Sequence, residues 1–217
     1  MIHMKTVTDS VREILYSSDT ALEALRGGIL NLSAYAQTIH AQVEQETWKS
    51  VRVGTITVAL SRIASEIEKV EPLRPKVKIT NLSIQADLCD ISFEKTEKLL
   101  ELLPDLQKTL PHQARSVFVQ TVGLSEVTFV ASSKLSGSIV KHLGDPKSIF
   151  KDLVGITVTF EKEYLEIPNV IYSFIATLAT KRINIIEIVS TYTELMFVIE
   201  AKDREVCTSV LEAHFAH

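Results

Sequence analysis

Cysteine is scarce in this 217-residue chain: Cys89 and Cys207 are the only two, far apart and without metal-ligand spacing. That excludes a disulfide scaffold and a zinc ribbon, and it fits a reducing compartment. Positive charge is not in excess; with a formal net charge of −4, no global field advertises a nucleic acid or an anionic membrane. No run of residues approaches the roughly 18–20 apolar positions that span a bilayer. The opening MIHMKTVTDS holds no apolar signal core. A cytoplasmic location with no membrane attachment is therefore expected. A Gly-x-Ser-x-Gly elbow and a phosphate-cradling glycine loop are both missing. The six histidines (His3, His40, His112, His142, His214, His217) include no pair at the spacing of a metal-binding helix. Neither cysteine has a histidine nearby in sequence to activate it. Glu161 and Glu163 sit in a charged, solvated run. The expectation is a non-catalytic protein with no metal and no cofactor.

What is present is a core-forming composition, with 46% apolar and 23% charged residues, which excludes a disordered chain. Glycine and proline punctuate it sparsely, at 7 and 6 residues, so each one marks a boundary. Pro72 and Pro75 flank a linker in EPLRPK, Pro104 and Pro111 bracket a helix end, and Gly144 and Pro146 mark a second junction. The expected domains are 1–72, 73–147 and 148–217.

The first segment carries helical stripes: Val7, Val11, Ile14 and Leu15; then TALEALR, capped by Ser18 or Asp19 and ended by Gly27 and Gly28. Ala36, Ile39 and Val43 mark a third helix, capped by Asn31 or Ser33. Val53, Ile56, Leu60, Ile63 and Ile67 mark a fourth, although β-branched residues leave a strand open over Val51–Val58. This is a helical bundle of helix-turn-helix type. Gln37, Thr38, His40 and Gln42 would point outward, as base-reading residues or as a plain solvated face. Through Lys69, seven Lys and Arg stand against eight Asp and Glu, which favours a structural or dimerising bundle over a DNA-binding one.

After Pro75 the apolar period changes to that of strands. KVKITNLSIQ and ADLCDISFE read as strands, followed by a helix bearing Leu99, Leu102, Leu103 and Leu106. A hairpin turns near Gly123–Ser125, and a helix buries Leu135, Ile139 and Leu143. The same order returns: GITVTFEKE, a helix opened by Pro168 that carries Val170, Ile171, Phe174, Ile175 and Leu178, a hairpin, and a last helix with Val206, Val210 and Leu211 inward. Glu126-Val127-Thr128-Phe129 lines up with Glu194-Leu195-Met196-Phe197. The repeat, about 65 residues long, is the strongest organising signal. Strand, helix, strand, strand, helix is the ferredoxin-like order, which needs a fourth strand. The second copy has none after its last helix. Lys76–Ile84 is expected to cross over and supply it, interleaving the copies.

VGITVTF and IPNVIYSFIATLATKRINIIEIVSTYTELMFVIE resemble the ACT domain, a small ligand-binding module of amino-acid metabolism. Pro168 matches the family proline, whereas Asn169 stands where glycine is usual. Tandem copies look most like the regulatory tail of aspartate kinases, although no kinase half or Lys-Phe-Gly-Gly-like start occurs here. ALRGGILNLSAYAQTI is also similar to small stand-alone regulatory proteins carrying an ACT domain. The fold class implied is α+β: an N-terminal helix-turn-helix-like bundle followed by two ferredoxin-like βαββα(β) ACT units.

The resemblance implies an amino-acid sensor. Its ligand would sit by the loop before the helix of the second copy, lined by Ile167, Asn169 and Val170. Asn184, Ile185 and Ile186 would add backbone and amide partners, and Glu166 would accept the ammonium. Asn169 and Asn184 read equally well as turn residues. The first copy, with EKTEK at the equivalent loop, reads as structural. The implied partners are a small-molecule amino acid, a second copy in a homodimer and a regulated enzyme. A transcriptional regulator using the bundle to bind DNA, and an assembly module without ligand, stand as alternatives.

Overall fold

A computed structural model describes residues 5–67, 72–109 and 117–216. Contacts divide the chain into two compact units, Met1–Pro75 and Lys76–His217.

The first unit holds four helices: α1 (Val7–Tyr16), α2 (Asp19–Arg26), α3 (Leu32–Thr47) and α4 (Val53–Ile67). Local chemistry sets their starts. Thr6, Ser18 and Asn31 each accept the N–H three residues on, from Asp9, Ala21 and Ala34. At the end of α2, Gly28 takes φ 68° and the Ile29 N–H returns to the Ala24 carbonyl at 2.9 Å, a glycine-dependent stop. Val53–Ile67 is a helix, not a strand. Ile56, Leu60, Ile63 and Ile67 are buried at helical spacing, and burial of that stripe outweighs the weak β preference of the branched residues. Val11, Leu15, Leu22, Ala36, Val43, Ile56 and Leu60 share one core. The 48–52 turn is tied down from α3: His40 Nε2 lies 2.6 Å from the Val51 carbonyl, and Glu44 accepts the Val51 N–H at 2.8 Å.

The second unit is a six-stranded antiparallel sheet with helices: β1 (Ile79–Glu94), α5 (Glu97–Thr109), β2 (Phe118–Val122), β3 (Glu126–Ser132), α6 (Ser136–Leu143), β4 (Ser148–Phe160), α7 (Val170–Thr180), β5 (Ile185–Ser190), β6 (Glu194–Glu200) and α8 (Arg204–Phe215). The strand order is β2-β3-β1-β4-β6-β5. KVKITNLSIQ and ADLCDISFE, read separately in the sequence, form the single strand β1. It pairs with β4 along almost its whole length. Leu88–Glu94 pair with β3, while Ile79–Gln85 pair with Gly155–Phe160, the pairing that the missing fourth strand requires.

Both long strands bend in the middle. The register shifts between Gln85 and Leu88 and again between Leu88 and Asp90, and Asp87 and Asp152 adopt φ 59° and 55°. These are bulges, and aspartate is among the few side chains that tolerate the left-handed region. Gly155 lies at the seam between β1 and β4, and a Cβ there would come within 2.8 Å of Met196 Sδ and 3.0 Å of Leu88 Cδ1.

Alternation along the strands separates the cores. Cys89, Ile91, Phe93, Val127 and Phe129 pack with Leu99, Leu103, Leu106 and Ile139 of α5 and α6. Val154, Ile156, Val158, Leu195 and Phe197 pack with Phe174, Leu178, Val210 and Leu211 of α7 and α8. Leu88, Val130, Leu153, Met196 and Val198 gather on the helix-free face. Asp90 is buried there too.

Pro104 lies inside α5 on its exposed side and the helix ends at Thr109, between Pro104 and Pro111; Pro111 itself falls outside the described residues. Two details differ from the sequence reading. Pro168 precedes rather than opens α7, which begins at Val170 after Asn169. Val206 points outward at 48% exposure, and Cys207 takes the inward place expected of it; Ile171 is likewise outward, at 46%. A stripe of apolar residues is wider than the buried arc of a helix lying on a sheet, and its margin stays in water.

Candidate functional site

Several clefts open in the second unit. One, of about 380 Å³, lies between the end of β4, the 162–166 turn, the start of α7 and the β5–β6 turn. Phe160, Val170 and Leu195 form its inner wall, Tyr164, Ile167 and Tyr172 its rim, and Asn169, Ser190 and Thr191 its polar part. The Tyr164 hydroxyl is fixed by accepting the Lys78 backbone N–H at 3.1 Å. Asn169 has φ 67° and ψ 14°, and its side chain makes no capping bond to α7. The left-handed backbone that a glycine would adopt freely is thus adopted by asparagine.

The residues expected to surround a ligand fall in two places. Ile167, Asn169 and Val170 line this cleft together. Asn184 and Ile186 line another, of about 320 Å³, with Phe150, Asp152, Glu200 and Lys202. Glu166 and Ile185 line neither; Glu166 is exposed on the 162–166 turn, and Ile185 packs at the edge of the α7–α8 core.

Register explains the split. Ser190 pairs with Leu195, and the Phe160 N–H donates to the Thr193 carbonyl at 3.0 Å, so the end of β5 adjoins the start of α7. Ile185 pairs with Ile199, which pairs with Val154 near the far end. At about 3.3 Å per residue, the two ends of β5 lie roughly 17 Å apart. Ser190 and Thr191, not Asn184 and Ile186, therefore meet Asn169. The signal was available in the sequence: a helix returning antiparallel to its strand brings its own start to the end, not the beginning, of the next strand.

The third cleft is a groove of about 430 Å³ on α8, lined by Lys181, Glu205, Val206 and His214 among others, and holds none of the expected residues. The equivalent loop in the first half of the sheet is short and hydrogen-bonded. Only Lys95 and Thr96 separate β1 from α5; Thr96 Oγ1 accepts the Leu99 N–H at 3.1 Å. The Lys95 N–H donates to Ser125 and its Nζ to the Gly123 carbonyl, at 2.9 and 3.0 Å.

Other reactive groups are quiet. Burial pushes the Cys207 thiol up to about 12 and raises that of Cys89, so neither is a thiolate at neutral pH. Among the described residues, no three His, Cys, Asp or Glu are placed to hold a metal, and no helix is long and apolar enough to cross a membrane. In the first unit, three of the four side chains weighed for base reading are already bonded within it: Thr38 to Ala34, His40 to Val51 and Gln42 to Glu46.

The fold defined by this sheet is α+β with ferredoxin-like strand order. Solved structures that share this fold include parts of aspartate kinases. The chain is similar to the regulatory subunit of aspartate kinase from Thermus thermophilus, at 12% identity and a TM-score of 0.50, over 63% of this chain and 98% of that one. It matches a structure of aspartokinase alpha and beta subunits at 15% identity and TM-score 0.50, over 63% and 97%. The aspartate kinase of Clostridium acetobutylicum matches at 15% and 0.53, over 64% of this chain but only 35% of the enzyme. The chain thus spans about a third of that enzyme's length. No family model matches, and no curated relative does.

Proposed function

We propose that this chain is a non-catalytic, amino-acid-binding regulatory protein of amino-acid metabolism. Its second unit would comprise two interleaved ACT-like units, and it would pass ligand binding to a partner enzyme. The reading rests on one observation: within a fold shared with aspartate kinase regulatory subunits, one strand-to-helix loop is opened into a cleft. A single amino acid suits a cleft of that size, and the first turn of α7 contributes N–H groups and a dipole for a carboxylate. Asn169, Ser190 and Thr191 are the polar contacts assigned to the backbone of the ligand. Asn184 and Ile186 are assigned no part within one chain.

A homodimer is proposed with it, because β2 and β5 are sheet edges without a partner strand in this order. A monomeric mass at micromolar concentration would count against that part.

A thermal-shift screen against the twenty amino acids tests the sensor reading. At 100 times its dissociation constant, a ligand adds about 2.7 kcal/mol of stability. The expected result is a hit in the wild type that disappears in Ile167→Glu, a rim position 37% exposed where the change leaves the core intact. No shift with any amino acid would move the weight to a ligand-free assembly role.

A further inference from the structure

The clefts differ in charge. Those around Lys181 and around Lys151 each contain acidic and basic side chains, namely Lys181, Glu205 and His214 in one and Lys151, Asp152, Glu200 and Lys202 in the other. The cleft at the start of α7 has no Asp, Glu, Lys, Arg or His in its wall. The charged residues of the adjoining turn, Glu161, Lys162, Glu163 and Glu166, are exposed and stand outside it. Glu194, beyond the β5–β6 turn, is likewise exposed and receives the Thr191 hydroxyl at 3.4 Å.

Polarity is also sorted within the cleft. Asn169, Ser190 and Thr191 provide polar groups, whereas Phe160, Val170 and Leu195, each at most 6% exposed, form an apolar inner wall. An ionised side chain lying against that inner wall would shed water and meet no counter-charge in the wall, which disfavours it. A hydrocarbon side chain would cover the exposed apolar surface of Leu165, Ile167 and Ile171 in the same cleft.

Building on the proposed sensor reading, we infer that the cleft selects an amino acid with an uncharged, apolar side chain and rejects lysine and aspartate. Two near-isosteric pairs isolate the charge. Norleucine has the carbon chain of lysine without the ammonium, and leucine resembles aspartate in branching without the carboxylate. Titration calorimetry of the full chain with these four is expected to find norleucine or leucine bound. The charged member of each pair should bind on the order of 100-fold more weakly. Ile167→Glu should abolish the binding, Ile167→Val should keep it, and Leu124→Glu, on a turn residue 98% exposed, should leave it unchanged.

Lysine or aspartate binding as tightly as its apolar partner, and losing that binding in Ile167→Glu, would overturn the selectivity while leaving the sensor reading intact. Binding that survives Ile167→Glu would place the ligand elsewhere and overturn the inference. An absence of binding by all four and by every amino acid of the screen would overturn both readings.

Discussion

The two β-α-β-β-α runs of the sheet share strands but part company where strand gives way to helix. In the first, two residues make the passage, Thr96 caps α5, and Lys95 is bonded twice to the facing turn. In the second, nine residues, 161–169, intervene, the cap position is a left-handed Asn169 without a side-chain bond, and a cleft opens. One topology thus supports two uses. A short capped loop leaves little room beside the helix start; a long one leaves apolar wall open to something else.

The largest effects test whether the runs are separable at all. Phe129 and Phe174 are fully buried, one in each helix-covered core. Either Phe→Ala substitution is expected to cost about 3–5 kcal/mol. Because β1 and β4 belong to both runs, each variant should shift one and the same urea transition, monitored by far-UV circular dichroism. Two transitions, with each substitution moving only its own, would show that the runs are independent despite the shared strands.

At the seam, Gly155→Ala forces a methyl against Met196 and Leu88 and is expected to cost about 1–3 kcal/mol, less if the flexible Met196 side chain swings away. Calorimetry of the variant beside Met196→Ala/Gly155→Ala sharpens the point, since the added methyl should cost less once the sulfur is gone.

Asp90 makes a second seam prediction. Burial, and then the nearby Glu187 carboxylate, push its carboxyl from 3.8 to about 6, while the Ser92 hydroxyl opposes the rise. A carboxyl that holds its proton more tightly when folded favours the native state at low pH. That contribution is lost as pH climbs from about 4 to about 6, and the ionised group is a burden above that. Asp90→Asn should therefore stabilise at pH 7 by on the order of 2 kcal/mol. The gain should fade toward pH 4, as read from denaturation midpoints across that range. A gain independent of pH would mean that Asp90 titrates normally.

Much of this was legible in the sequence, and the failures are specific. The order of strands and helices follows from the apolar periods along the chain, and Ile79–Gln85 do cross to pair with β4. The fusion of two apolar runs into β1 was hidden, because the bulge at Asp87 interrupts the period of two that identifies a single strand. The site was half legible. Ile167, Asn169 and Val170 are local to one loop, whereas Ser190 and Thr191 join them only through the register of β5 on β6. Tyr164 reaches Lys78 across 86 residues of chain, a contact no periodicity reveals.

The smallest effect bears most directly on the two loops. Thr96→Ala removes the cap of α5 and should cost about 1 kcal/mol without changing amino-acid binding. At Asn169 the logic reverses. Its φ of 67° suits glycine better than asparagine, so Asn169→Gly should be neutral to within about 0.5 kcal/mol. Asn169→Ala should cost about 1 kcal/mol through backbone strain alone, since no cap bond is lost. Binding separates the roles again: Asn169→Gly keeps the backbone shape but removes the amide, so a loss of affinity without a loss of stability assigns that amide to the ligand. If Asn169→Gly binds normally while Thr96→Ala weakens binding, the division into one short and one open loop is wrong, and the ligand is read by the run taken here as structural.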